Sequence, residues 1–180
     1  MYVTGNDDKA KLFSKMVGID IPHIKIDVDE IQSLNLTEVV EHKAKQAYEK
    51  VGKPVIVEDT KLVINSLGLL PGPFIKFFIS ELTNDGICKL LDGYKDRSAV
   101  AGAAIAYYDG KTIEIFEKEL QGSIAKEASG DMGFGWDSIF IPHNSSVVRG
   151  EMDEDTYLKS YRNTKPFEEL AKFLKSIDKQ

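Results

Sequence analysis

The chain has 180 residues, 42% of them apolar and 29% charged, with a formal net charge of −6. That length fits one domain with a substantial core, and an acidic balance without clustered Lys and Arg argues against a broad nucleic-acid-binding face. The lone cysteine, Cys88, excludes an intrachain disulfide, and the most apolar stretch, residues 99–108, is roughly half of what a membrane helix needs. Tyr2-Val3 reads as a short strand running into Thr4-Gly5-Asn6. A helix follows from about Asp7, with Leu12, Phe13, Met16 and Val17 at helical spacing and Gly18 as its stop. Ile24 to Val28 alternates like a strand, and a second helix fits Glu38 to Val51 with Thr37 as N-cap. Val55-Ile56-Val57 reads as a buried strand ending at Glu58-Asp59-Thr60, with another strand at Leu62 to Ile64. Pro71-Gly72-Pro73 marks a rigid loop, and a helix covers Gly86 to Leu91. Ala99 to Tyr108 and Thr112 to Leu120 flank Asp109-Gly110, a type I′ hairpin signal. Ser129 to Trp136, with three glycines, is a loop; Ile139 to Ile141 is a strand; a last helix runs from about Pro166 to Ile177. The pattern is that of an α/β domain, residues 1–180, around a mixed sheet.

No basic segment followed by an apolar one opens the chain, so no secretory signal is expected. With one cysteine, a reducing, cytoplasmic setting is expected, with Cys88 an inert core residue.

Three constellations can carry chemistry. At Thr4-Gly5-Asn6 a strand meets a helix N-terminus, where unpaired N–H groups suit a phosphate and Gly5 allows close approach. Lys9 adds positive charge there, whereas Asp7 and Asp8 would repel a phosphate that they faced. The second set is Glu30, Glu58 and Asp59, acids suited to Mg²⁺. Glu58 and Asp59 are consecutive on a strand and point to opposite faces, so they are not expected to line one site together. The third is Gly133-Phe134-Gly135-Trp136-Asp137, where an aromatic flanked by glycines can lie against a nucleobase. His23, His42 and His143 show no metal-ligand spacing and read as surface residues.

Together these segments resemble the inosine triphosphate pyrophosphatase family, the non-canonical purine NTP pyrophosphatases. The match lies in Val3-Thr4-Gly5-Asn6 with Lys9, Lys25-Ile26-Asp27 with Glu30, Val57-Glu58-Asp59-Thr60, Leu70-Pro71-Gly72-Pro73 through Lys76-Phe77-Phe78, Gly133 to Asp137, and Ser160-Tyr161-Arg162. The resemblance implies an elongated two-lobed α/β fold around a long central mixed sheet, a homodimer, and an active site in the cleft. It implies Mg²⁺-dependent hydrolysis of ITP, dITP and XTP to monophosphate and pyrophosphate, with no nucleic-acid or membrane partner. By the same resemblance, Thr4, Gly5, Asn6, Asp7, Asp8 and Lys9 hold phosphates. Glu30 and Asp59 bind the metal, with Asp59 also the proton acceptor and Thr60 beside it at the substrate. Lys43 and Lys76 contact phosphate or sugar, and Phe134, Gly135, Trp136 and Asp137 take the base.

The chain departs from the family pattern at three places. Tyr161 stands where the family has His, Thr156 where a Lys is expected, with Lys159 nearby, and Ser138 where Pro is usual. Lys159, Tyr161 and Arg162 are the candidates for base recognition on this side. The departures fall on base selectivity and leave the phosphate residues intact. Hydrolysis of modified pyrimidine or 7-methyl-guanosine triphosphates, and a non-catalytic nucleotide sensor, are the alternative readings. The Glu30/Asp59 pair favours an enzyme, because a sensor needs no water-activating carboxylate.

Overall fold

The computed structural model describes residues 1–5 and 7–177; Asn6 and the side chains of Asp7 and Asp8, expected at the phosphates, lie outside the described set. Among the described residues, seven strands and five α-helices form an α/β fold: β1 (Tyr2–Val3), α1 (Asp7–Val17), β2 (His23–Ile24), α2 (Leu36–Val51), β3 (Val55–Ile64), β4 (Pro71–Gly72), α3 (Ile75–Leu90), β5 (Ser98–Tyr108), β6 (Ile113–Ile124), β7 (Phe140–Pro142), α4 (Glu154–Thr164) and α5 (Phe167–Ile177). One mixed sheet runs in the order β2-β1-β3-β5-β6-β7, with β4 on β3. Tyr2 registers with His23 on one side and Ile56 on the other, both parallel. β4 on β3 and β7 on β6 are antiparallel, with Leu62 opposite Gly72 and Ser123 opposite Ile141.

Several boundaries differ from the sequence reading, each for a local reason. α2 begins at Leu36 because Asn35, in extended conformation, accepts the Thr37 N–H at 3.0 Å; the N-cap is Asn35 and not Thr37. β2 is two residues long, not five. β3 is continuous through Glu58-Asp59-Thr60, because polar side chains do not interrupt a backbone ladder. α3 starts eleven residues earlier than expected and breaks at Thr83, whose φ of 61° is non-helical. The β5–β6 connection is not a type I′ turn: Gly110 has positive φ but Asp109 does not. Instead Asp109 accepts the N–H groups of Lys111 and Thr112 at 2.9 and 2.7 Å, closing a longer loop. α4 has no counterpart in the sequence reading.

The chain resolves into two compact units. The first comprises Met1–Asp59, Ala103–Lys118 and Lys165–Gln180; the second, Thr60–Gly102 and Glu119–Thr164. The first is built on Val3, Leu36, Val40, Ala44, Ala47, Val55, Val57, Ala104 and Ala106. Tyr2 stacks on Phe13 at 4.0 Å, and Phe13 meets Phe167 of α5 edge-on. The second unit packs Leu62, Ile64, Ile75, Ile87, Leu91, Ile139 and Phe140 around Cys88, whose thiol burial pushes up, as expected of an inert core cysteine.

Candidate active site

In the first unit, the apolar face of α2 (Val39, Val40, Ala44, Ala47) is buried, which fixes the rotation of the helix and sets Lys43, four residues after Val39 and three after Val40, within that face. The Lys43 ammonium donates to Glu30 Oε1 at 2.9 Å and to Asp59 Oδ2 at 3.2 Å. The three side chains are 14%, 47% and 19% exposed, so the pair opens to solvent on the Glu30 side. Burial works to depress the Lys43 pKa, but Asp59 and Glu30 outweigh it and hold the group above its ordinary value. Lys43 is therefore a cation at any physiological pH.

Glu58, one residue earlier on β3, faces a different partner. Lys165, directly before Pro166 and α5, donates to Glu58 Oε1 at 2.6 Å, with side-chain exposures of 4% and 8%. Burial raises the Glu58 pKa, but Lys165 and then Lys9 more than reverse this, and the carboxylate stays below its ordinary range. Glu58 Oε2 is buried with no hydrogen-bond partner among the described residues. Lys9 is pulled below the usual lysine value, first by burial and further by Lys165 and Lys43, against Glu58 and Asp59. Strand alternation thus sends the two acids to separate lysines, as their spacing implied. Thr4 donates its N–H to Ile24 O at 3.1 Å. Gly5 is exposed and its φ is not positive; a Cβ there would meet only the Lys25 side chain, at 3.5 Å or more. The fold itself does not demand glycine at that position.

In the second unit, the loop before β7 is held by a buried carboxylate. Gly133 has φ +83° and a Cβ there would collide with Asp137 and the Tyr157 ring, so only glycine fits. Asp137, 4% exposed, accepts the Phe134 N–H at 3.0 Å, the Tyr157 hydroxyl at 3.0 Å and the Arg149 guanidinium at 3.4 Å. Burial, reinforced by Asp137, pushes the Tyr157 hydroxyl well above the usual tyrosine range, so it stays protonated and donates. Asn84, beside the Thr83 break in α3, donates to Gly135 O at 2.8 Å and Ser138 Oγ at 2.7 Å. Phe134 is 44% exposed, and its ring meets Tyr161 of α4 edge-on at 5.9 Å and 71°.

The structure therefore brings together Glu30, Lys43 and Asp59 in one unit, and Phe134, Asp137 and Tyr161 in the other. Trp136 packs partly buried against the core of the second unit. Lys76, Lys159 and Arg162 are exposed, and Thr60 is partly buried on β3. Thr156 is tied to Asp153, which accepts its N–H at 3.0 Å and its hydroxyl at 2.7 Å. His42 departs from the surface reading: it is partly buried, and its Nδ1 has no partner among the described residues. Arg149, Tyr157, Thr164, Lys165 and Asn84 carry no signal in the sequence reading. The spacing of Tyr157, Ser160, Tyr161 and Thr164, all buried on α4, is that of one helical face. It escaped notice because the stripe is hydroxyl-bearing and not aliphatic.

Among the described residues, no group of three or more His, Cys, Asp or Glu gathers to cage a metal. No helix of the described residues is long and apolar enough to cross a membrane. The family model that matches the chain is that of the Ham1 family, over residues 1–173. A dITP/XTP pyrophosphatase of Methanopyrus kandleri is 34% identical over 180 residues, covering 98% of this chain and 96% of the relative. An inosine triphosphate pyrophosphatase of Scheffersomyces stipitis is also 34% identical, covering 97% of each. Among solved structures, a HAM1 protein from Coxiella burnetii superposes with a TM-score of 0.85 at 22% identity, covering 97% of each chain.

Proposed function

The chain belongs to the Ham1 family, and on that premise we propose that it hydrolyses non-canonical purine nucleoside triphosphates, ITP, dITP and XTP, to the monophosphate and pyrophosphate. The observation that carries the reading is the convergence of Glu30 and Asp59 on one cationic nitrogen. The bond broken is the one between the α-phosphorus and its bridging oxygen, so that water attacks the α-phosphorus and pyrophosphate leaves. Asp59 takes the proton of the attacking water. Lys43 and Lys9 offset phosphate charge. Thr4, through its hydroxyl, and the exposed Gly5, through its backbone N–H, meet the phosphates before α1, and Asn6 to Asp8 are assigned there on the family resemblance. Thr60 lies next along β3 at the substrate, and Lys76 contacts phosphate or sugar.

The donor set fits a hard divalent cation. Two carboxylates from separate segments already share one positive charge within 3.2 Å, and Mg²⁺ takes one or two carboxylates with phosphates and waters completing its shell. Glu30 and Asp59 would hold it. When bound, Mg²⁺ supplies neutralisation of phosphate charge and stabilises the departing pyrophosphate.

Phe134 offers its exposed face to the base, supported by the backbone of Gly135 and by Asp137. Trp136 anchors the loop that carries them. Tyr161, Arg162 and Lys159 supply donors toward the 6-oxo group. A donor aimed there pairs with hypoxanthine or xanthine and is left opposed by the adenine amino group, which costs ~1–3 kcal/mol per unpaired buried donor. The reading extends to a cytoplasmic homodimer, on the family resemblance. The test is kcat/KM for pyrophosphate release from ITP, XTP, GTP, ATP, a modified pyrimidine triphosphate and 7-methyl-GTP across a Mg²⁺ titration. Preference for ITP and XTP is expected. Equal use of ATP, or preference for either of the last two substrates, overturns it.

A further inference from the structure

Arg149 is 2% exposed, and all three of its guanidinium nitrogens donate within the second unit. Nε donates to Ser160 Oγ at 2.9 Å, Nη1 to Asp137 Oδ1 at 3.4 Å, and Nη2 to Ser160 O at 3.2 Å and to Thr164 Oγ1. Its Cζ lies 5.0 Å from the centre of the Phe140 ring. A buried guanidinium carries a desolvation cost that a packed apolar side chain avoids, so stability alone is a weak reason for it.

Its contacts join two elements. On one side, Asp137 holds the Phe134 N–H and the Tyr157 hydroxyl through its other oxygen. On the other, Ser160 and Thr164 flank Tyr161 on α4. The rings of Phe134 and Tyr161, both assigned to the base above, meet edge-on at 5.9 Å. We propose that Arg149 is a positioning residue for base selection, fixing the Phe134 loop and the Tyr161 helix in one geometry through Asp137, Ser160 and Thr164. The inference rests on the reading of Phe134 and Tyr161 as base-recognising. Arg is needed because its planar fork reaches four acceptor atoms on three residues at fixed angles; the point charge of Lys keeps the charge balance with Asp137 but cannot span them.

The experiment is kcat and KM for ITP and ATP in wild type, Arg149→Lys and Thr164→Val, with thermal melts of each and the inhibition constant of free pyrophosphate. In Arg149→Lys the ITP:ATP ratio of kcat/KM is expected to fall roughly 5–20-fold, chiefly through a raised KM for ITP, while pyrophosphate inhibition holds. Thr164→Val, near-isosteric and neutral in charge, should shift the ratio the same way by less. If Arg149→Lys does not fold, the Thr164→Val ratio decides alone. A wild-type preference for ITP with an unchanged ratio in the folded variants, both substrates falling together with the melting temperature, overturns the positioning role and leaves the functional reading standing. A wild type without that preference overturns both.

Discussion

Replacing Lys165 with Met leaves the Glu58 carboxylate buried without its 2.6 Å partner. Both side chains are under a tenth exposed, so solvent cannot screen the loss. Breaking a buried pair from one side costs ~3–5 kcal/mol, and a chain of this size loses about 2–4 °C per kcal/mol, so the melting temperature at pH 7 should drop by about 6–20 °C. The pH dependence follows from the direction of the shift. In the wild type, Glu58 is held below its ordinary 4.5: burial raises it, but Lys165 and Lys9 prevail. Its stabilising contribution is complete above the unfolded value and is lost as pH falls through the lowered folded one. In Lys165→Met the larger opposing charge is gone and burial acts in the other direction, so uptake of a proton relieves the buried carboxylate. The gap between wild type and variant should therefore be wider at pH 7 than at pH 5. The double variant Glu58→Gln/Lys165→Met should recover most of the loss at pH 7, since no unpaired charge remains. Melting followed by circular dichroism at both pH values gives the numbers. A drop below about 2 °C at pH 7, or a gap that widens toward pH 5, refutes the reasoning.

Asp59→Asn should cut kcat by about 10²–10⁴-fold with the fold intact, measured as pyrophosphate release at saturating Mg²⁺; retention of more than about a tenth of wild-type kcat removes Asp59 from proton transfer. Phe134→Ala should weaken ITP binding by ~1–3 kcal/mol and leave free pyrophosphate unaffected in calorimetry, whereas equal losses would make Phe134 structural. Tyr161→Phe should lose part of the ITP-over-ATP preference in kcat/KM, and an unchanged ratio would exclude its hydroxyl from the base. Sedimentation at micromolar concentration should show a dimer; a single species at the 20.1 kDa chain mass would contradict the homodimer.

What was legible in the sequence follows the kind of signal each residue carries. α1, α2 and α5 announce themselves through apolar residues at helical spacing, β5 and β6 through the apolar segments flanking Asp109-Gly110, and Asp59 through its place after a buried apolar run. The start of α3 was hidden because Phe74 to Ile79 mixes buried Ile75 with the 61%-exposed Phe77, which blurs the helical stripe. Thr83 then breaks the helix with a backbone angle that its residue type does not announce. The Asn35 cap was readable, since Asn35 lies three residues before Glu38, which accepts from its side chain at 3.4 Å. Arg149 and Lys165 leave no such trace. A buried cation looks like a surface one until the fold supplies its carboxylate, and Asp137 and Glu58 lie 12 and 107 residues away.

The central claim is that a 6-oxopurine triphosphate is cleaved between its α- and β-phosphoryl groups. Incubating ITP with the protein and Mg²⁺ and resolving the products by anion exchange tests it directly. Inosine monophosphate and pyrophosphate in equal amounts are expected, with the Asp59→Asn protein producing neither above about a hundredth of that rate. Inosine diphosphate with inorganic phosphate as the primary products, or ITP left intact by the wild type, would contradict it.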